Sequence, residues 1–268
     1  APFLYALSKK MEDGHVCLDL NHIPSEKEFW EAYTGAQFEN NTFPINSNLV
    51  GSNSEAKKPF VVAFNKMYIN RNFFYETQII ENLRLLVQSG KALLDARKSA
   101  LEHQKDFIMH LRSSDANVAS FSPEEKPDWQ LVAAIQGVLN NLTLITGGPG
   151  TGKTTTVAKI LALLNKIEPN VSVALTAPTG KAAVRMKESL QNTVKDARNQ
   201  VLELEQIVSA LEPKTIHRLL GAVHQSPFFK HNADHRLAYD VVIVDEASMI
   251  GVGLFAKLLG ALKPNSRL

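Results

Sequence analysis

Cysteine is all but missing from the 268 residues, with Cys17 the single thiol. One thiol closes no internal disulfide. With no basic-then-apolar leader at the start, this reads as a protein of the reducing cytoplasm. Cys17 lies in an apolar-alternating run and is most simply a small core residue. Long hydrophobic runs are missing too: no stretch of 18 uncharged apolar residues occurs, so no spanning helix and no membrane partner are expected. No internal repeat and no low-complexity tract appears.

A strong charge of one sign is also lacking, since the formal net charge is +2. That balance hides an asymmetry. Residues 1–128 are net acidic by 3 and residues 129–268 net basic by 5, so a polyanion partner suits the second part. At 268 residues with 44% apolar content, two ordinary globular domains are expected. The boundaries read as a docking or interaction domain over 1–112, a linker over 113–128 and a nucleotide-binding domain over 129–268. The chain starts without methionine and stops at Leu268 where a new segment is due, which reads as a fragment.

The first domain reads as small and mainly helical with a β-hairpin. A helix is expected around Phe3–Lys10, a short strand at Val16–Leu20, and a helix near Ser25–Tyr33 behind the capping-box pair Ser25 and Glu28. Asn40 to Ser54, rich in Asn and Ser, reads as a loop. Phe60–Phe64 and Met67–Ile69 flank Asn65-Lys66 as a hairpin. Two or three helices follow from about Phe73 to Leu111, with a break at Ser89-Gly90. His15, His22, His103 and His110 are scattered and read as surface or structural residues. Nothing here has metal-ligand spacing or a nucleophile beside a base.

From Trp129 the pattern changes to alternating helix and strand. Trp129–Leu139 is helical, Leu142–Thr146 a strand, Lys153–Ile167 a helix, Val171–Thr176 a strand, Gly180–Gln191 and Ala197–Leu211 helices. A turn of helix at Thr215–Leu220, a strand at Tyr239–Val244 and a helix at Met249–Leu262 complete it. Such alternation implies an α/β fold with a mostly parallel sheet covered on both faces.

Two motifs carry chemistry. Gly147-Gly148-Pro149-Gly150-Thr151-Gly152-Lys153-Thr154 fits G-x-x-x-x-G-K-[ST] between the expected strand and helix. Its glycines allow a tight backbone whose N–H groups meet phosphate, and the helix start adds free donors and a positive dipole end. Lys153 supplies a compact charge for the β- and γ-phosphates, and the Thr154 hydroxyl is a Mg²⁺ ligand. Gly148, Pro149, Gly150, Thr151, Gly152 and Thr155 complete the nucleotide-binding set.

The second motif is Asp245-Glu246, which ends the apolar run Val241–Val244 where α/β proteins bind ligands. Asp245 is placed to hold Mg²⁺ through water and Glu246 to polarise the attacking water. Lys153, Asp245 and Glu246 are thus the catalytic candidates, with Thr154 and Asp245 as the metal candidates. A P-loop with paired acids says NTPase without saying which. A guanine reader of the Asn-Lys-x-Asp type is missing, which weakens a G-protein reading.

The remaining stretches are more specific. Trp129-Gln130 with Ala133-Ala134, Gly147–Thr156, Thr176–Ala183, Thr215–Gly221 and Val244–Met249 occur in that order. Together they resemble the superfamily 1 DNA helicases, in the RecD-like branch. The likeness is strong from Trp129 onward and fainter at Gly14–Leu18 and at Tyr68–Arg71 with Phe74 and Glu76.

The resemblance implies a RecA-like P-loop domain with ATP and Mg²⁺ as cofactors. It matches Gln130 to the glutamine that bonds adenine, a role an amide's donor and acceptor suit. It matches Pro178, Thr179, Lys181, Thr215 and His217 to contacts with single-stranded DNA. Read alone, Gln130 is an exposed helix residue, Thr179 and Thr215 are helix caps, and His217 is a buried histidine. The resemblance further implies 5′→3′ movement on single-stranded DNA within a repair nuclease, the exodeoxyribonuclease V type, with residues 1–112 docking to its RecB- and RecC-like subunits. A whole helicase of this kind adds a Gly-Asp-x-x-Gln-Leu segment and a second motor domain with arginines. None of these is in the chain, so weak hydrolysis is expected of it. Two other readings stay open: a stand-alone superfamily 1 helicase, and a nucleotide-gated docking scaffold.

Overall fold

The computed structural model describes residues 2–22, 28, 31, 32, 35, 48–52, 58–111, 127–148, 150–196 and 202–268. Ser25 and most of the helix expected around it, most of the 40–54 segment and the linker residues 113–126 lie outside the described residues. The chain divides into two compact units, one of residues 1–81 with 251–256 and one of residues 82–250 with 257–268.

The first unit packs helix α1 (Pro2–Glu12) on a four-stranded sheet. Its strands are β1 (Cys17–Asp19), β2 (Val50–Gly51), β3 (Phe60–Ala63) and β4 (Lys66–Ile69), in the order β1-β4-β3-β2. The β1-β4 and β3-β4 pairs are antiparallel and the β2-β3 pair is parallel. Ala6 and Leu7 of α1 meet Leu18, Leu20, Val50 and Met67, which form its core. The hairpin is shifted by one residue from expectation. Its turn is Phe64-Asn65, both at positive φ (51° and 56°), while Lys66 pairs within β4 opposite Ala63. A two-residue turn of this handedness matches strand twist, and Asn65 suits it. Val50–Gly51, expected in a loop, is a short strand paired with Phe60 and Val61.

Helix α2 (Asn70–Glu102) runs for 33 residues without the break expected at Ser89-Gly90. Gly90 is there for proximity rather than for a turn. A Cβ on it would stand 3.1 Å from both the Asn141 backbone N and its side chain. Ser89 Oγ fixes the same contact, donating to Pro264 O and accepting from Asn141 Nδ2. A short helix α3 (Lys105–His110) follows.

The second unit holds helices α4 (Trp129–Leu139), α5 (Lys153–Ile167), α6 (Gly180–Asp196), α7 (Leu202–Ala210) and α8 (Ile216–Leu220), while α9 (Val252–Ala261) is divided between the two units after Ala256. Its sheet is β5 (Val173–Ala177), β6 (Pro213–Thr215) and β7 (Val241–Val244), ordered β6-β5-β7 and parallel throughout. This is the α/β arrangement expected of a RecA-like P-loop domain. Residues 156–164 of α5 are all buried, so this helix is enclosed on every side rather than amphipathic. Val157, Ala158, Leu161 and Ala162 meet Leu175 of β5 with Met186 and Leu190 of α6. Ile160, Leu163 and Leu164 meet Leu101, Ala134, Val138 and Val241.

Leu142–Thr146, expected as a strand, is not one. Residues 266–268 lie alongside β7, with Val242 N–H donating to Arg267 O and Arg267 N–H to Asp240 O. The next ladder joins Leu268 N–H to Asn141 O and Thr143 N–H to Leu268 O. Beyond Thr143 no ladder partner occurs among the described residues, and Leu144 is 80% exposed. An apolar run becomes a strand only where a neighbour accepts its backbone bonds.

Candidate nucleotide-binding site

The glycine-rich loop turns into α5 through two left-handed residues, Gly150 at φ 75° and Gly152 at φ 83°. Gly152 is the residue before the helix, and its carbonyl accepts the first helical bond, from Thr156 N–H at 2.9 Å. The N–H groups of Lys153, Thr154 and Thr155 therefore precede the first intrahelical bond and face no helical partner. Lys153 folds back so that Nζ donates to Gly147 O at 2.8 Å and Gly148 O at 2.7 Å. Thr151 Oγ1 braces the loop from inside by donating to Gly148 O at 2.9 Å. Pro149 lies outside the described residues.

Gln130 is on the first turn of α4, yet its Nε2 reaches Thr151 O at 3.5 Å, the outer limit of a hydrogen bond. The approach is close enough that a Cβ on Gly152 would stand 2.1 Å from that same nitrogen. What holds α4 there is Asp128. Its Oδ1 caps the helix by accepting from Leu131 N–H at 3.0 Å, and its Oδ2 pairs with Lys159 of α5 at 2.9 Å. The two side chains are 12% and 10% exposed, so breaking the pair by removing one partner strands a buried charge, a cost of about 3–5 kcal/mol. This pair was not anticipated from the sequence. An Asp just before a helix and a Lys inside an apolar stripe were the two signals available for it.

The ends of the parallel strands bring the other candidates to one edge of the sheet. Ala177 pairs with Thr215 and Thr176 with Val244, so Pro178 and Thr179, Thr215, and Asp245 all follow or finish strands at the same end. Asp245 continues the β7 ladder, its N–H donating to Thr176 O at 3.0 Å, and its Oδ1 accepts from Glu246 N–H at 2.9 Å. Glu246 is exposed and left-handed, at φ 50°, an uncommon conformation for a residue with a Cβ. No hydrogen bond or ion pair joins Lys153 or Thr154 to Asp245 or Glu246 among the described residues. Thr154 Oγ1 instead accepts from Ser189 Oγ of α6 at 3.1 Å.

Thr179 and Thr215 each act as a helix cap. Thr179 Oγ1 accepts from Ala182 N–H and Thr215 Oγ1 from Arg218 N–H, both at 3.2 Å. A cap uses a lone pair and leaves the hydroxyl proton free. Lys181 is exposed on the first turn of α6. His217 is exposed as well, which overturns the buried alternative. Its ring lies 5.8 Å from that of Phe229, and Phe229 pairs with Ala222 across a single antiparallel bridge.

The residues present fit a magnesium nucleotide. A glycine-bounded loop left-handed at 150 and 152, a lysine held among the described residues by the loop's own carbonyls, a hydroxyl on the first helical turn and a carboxylate at the strand end are oxygen and cation chemistry suited to triphosphate and a hard cation.

Comparison with known proteins points the same way. The AAA domain family matches residues 130–268. The chain is 34% identical over 215 residues to the RecBCD enzyme subunit RecD of Haemophilus influenzae, covering 78% of this chain and 31% of that protein. It is 42% identical over 283 residues to the subunit of the same name from Mycolicibacterium smegmatis, covering 97% of this chain and 43% of that one. The ATP-dependent RecD2 DNA helicase of Deinococcus radiodurans is 38% identical over 128 residues, 48% of this chain and 15% of that protein. The chain thus spans less than half the length of these relatives.

Proposed function

Given that the chain belongs to the AAA domain family, as a RecD-like superfamily 1 helicase chain, we propose that its Gly147–Thr154 loop binds Mg²⁺·ATP. In this reading the domain is one half of a motor that moves 5′→3′ on single-stranded DNA in the cytoplasm. The protein would work as the alpha subunit of an exodeoxyribonuclease V-type repair complex, with residues 1–112 docking to its RecB- and RecC-like partners, 113–128 as linker and 129–268 as the first ATPase domain. What most supports the reading is Gln130, whose amide lies against the loop at Thr151 and Gly152 and is held there by the Asp128–Lys159 pair.

The residues divide the work. Lys153 exchanges the Gly147 and Gly148 carbonyls for β- and γ-phosphate oxygens, and the free N–H groups at the start of α5 hold the same phosphates. Gln130 offers donor and acceptor to adenine. The Thr154 hydroxyl, and the Asp245 carboxylate through water, would hold Mg²⁺, which would neutralise charge on the phosphates. Glu246 orients and polarises the attacking water. Pro178, Thr179, Lys181, Thr215 and His217 face the strand, with hydroxyl and ammonium donors for phosphate and an exposed imidazole beside Phe229 for a base. Residues 1–268 by themselves should hydrolyse ATP slowly, since an arginine supplied by a second domain is worth roughly 10³–10⁵ in turnover.

The test uses the full-length protein. ATP hydrolysis should be stimulated by single-stranded oligonucleotide and abolished by Glu246→Gln with nucleotide binding retained. Unwinding should need a 5′ overhang. Stimulated hydrolysis that survives Glu246→Gln would sink the assignment, and unwinding from 3′ overhangs alone would reverse the polarity.

A further inference from the structure

Hydroxyls inside helices often return to the carbonyl four residues back, and the threonines Thr77 and Thr193 do so here, donating to Phe73 O and Ser189 O. Ser189, mid-way along α6, does not. Its hydroxyl crosses to the neighbouring helix and donates to Thr154 Oγ1 at 3.1 Å, between residues 35 apart in sequence and part-buried. The meeting follows from packing. Met186 and Leu190 of α6 cluster with Val157, Ala158 and Leu161 of α5. Thr154 stands one turn before Val157 and Ala158, and Ser189 one turn after Met186, so both hydroxyls lie on the packed faces.

We infer that Ser189 is a positioning residue for the Mg²⁺-binding hydroxyl of Thr154, an inference that rests on the nucleotide-site reading above. A threonine hydroxyl has two lone pairs and one proton. A bond donated by Ser189 takes one lone pair and fixes the rotor, which leaves the second lone pair for a cation and the proton for an acceptor. Without that bond Thr154 swings among its side-chain rotamers and pays to order when metal arrives. Helix α6 is also the element that opens with Thr179, its cap, and Lys181. One rigid helix therefore carries the segment matched to strand contact at its start and the residue that orients the metal ligand near its middle.

The test reads metal dependence rather than turnover. Affinity of the chain for a fluorescent ADP analogue is measured with Mg²⁺ and with EDTA, for the parent, Ser189→Ala and Ser189→Thr. The gain in affinity brought by Mg²⁺ should fall about fivefold in Ser189→Ala, the worth of one neutral hydrogen bond. Affinity in EDTA should stay the same, and Ser189→Thr should restore the gain. An undiminished gain in Ser189→Ala overturns the inference, as does an equal loss with and without Mg²⁺, which marks a packing role. A parent chain that fails to bind the analogue, or binds it equally with and without Mg²⁺, would instead bring down the underlying site reading.

Discussion

The two ends of the parallel sheet treat their polar groups in opposite ways. At the end where β5 and β7 begin, charges are matched. Arg267, 4% exposed, donates to both Glu168 oxygens and to Val138 O, and Asp240 is held by Lys263 and Ser172. Arg97 caps the end of α4 at Leu139 O; burial, and then the like charge of Arg267, push it down to about 10 against the pull of Glu168. At the end where the strands finish, Lys153 rests on its own loop, Asp245 on one backbone N–H, and Glu246 sits exposed at positive φ. A buried side-chain oxygen without a partner among the described residues occurs at each end, Thr176 Oγ1 here and Asn141 Oδ1 at the other. Stability is stored at one end, and the groups left loosely held at the other are those proposed to meet the nucleotide.

Three substitutions break or sharpen that contrast. The largest effect belongs to Arg267→Met, which leaves Val138 O unsatisfied and takes the buried partner from Glu168, itself 40% exposed and so partly screened by solvent. A loss of about 2–3 kcal/mol is expected in urea unfolding, with nucleotide affinity of the folded chain unchanged. A loss under about 1 kcal/mol would break the contrast. Lys153→Ala should behave in reverse. Stability without ligand stays within about 0.5 kcal/mol, while the roughly 2.7 kcal/mol of stabilisation by Mg·ATP at a hundredfold excess over Kd disappears. If it unfolds the chain like Arg267→Met does, the loop is structural. Gly152→Ala falls between, at about 1.5 kcal/mol, because an L side chain is strained at φ 83°. The Gln130 amide, at the end of a flexible chain, yields to the new methyl, so preference for ATP over GTP should drop in the same variant. An unchanged ratio would remove Gln130 from the base site.

How much of this was legible in the sequence depended on whether the cause was local. The loop, α4, α5 and the strand at Val241–Val244 followed from spacing, since periodicity and glycine placement act over a few residues. Most of the failures were tertiary. Ser89-Gly90 looked like a break because nothing local says that Asn141 approaches there. Leu142–Thr146 looked like a strand because its composition is right, but only its Thr143 makes a ladder bond among the described residues, to Leu268 O. Phe64 left the predicted strand to complete a two-residue turn that its own side chain does not favour. The Ser189–Thr154 contact left no trace, because two hydroxyls 35 residues apart meet only once α5 and α6 have packed. The proposal that Gln130 reads adenine came from resemblance alone; what the geometry adds is that Asp128 and Lys159 tie α4 to α5 where the Gln130 amide meets the loop.

The smallest expected effect probes the matched end by pH. Partial burial raises the Asp240 carboxyl, but hydrogen bonds from Lys263 and from the Ser172 hydroxyl and N–H, with the Lys263 charge, outweigh it and hold the group at about 2 against an ordinary 3.8. A depressed carboxyl stabilises the fold fully above its unfolded value and loses that contribution as pH falls through the folded one. The window is therefore about pH 4 down to pH 2. The Asp240 side chain is 43% exposed, so solvent screening cuts the contribution to about 1 kcal/mol. Asp240→Asn should then cost about 1 kcal/mol at pH 7 and nothing at pH 2, with the acid limb of the stability curve flattened between. Equal costs at both pH values would mean that packing or neutral hydrogen bonding, not charge, accounts for the stability at that end of the sheet. The electrostatic half of the contrast would then have to be carried by the Arg267–Glu168 pair alone.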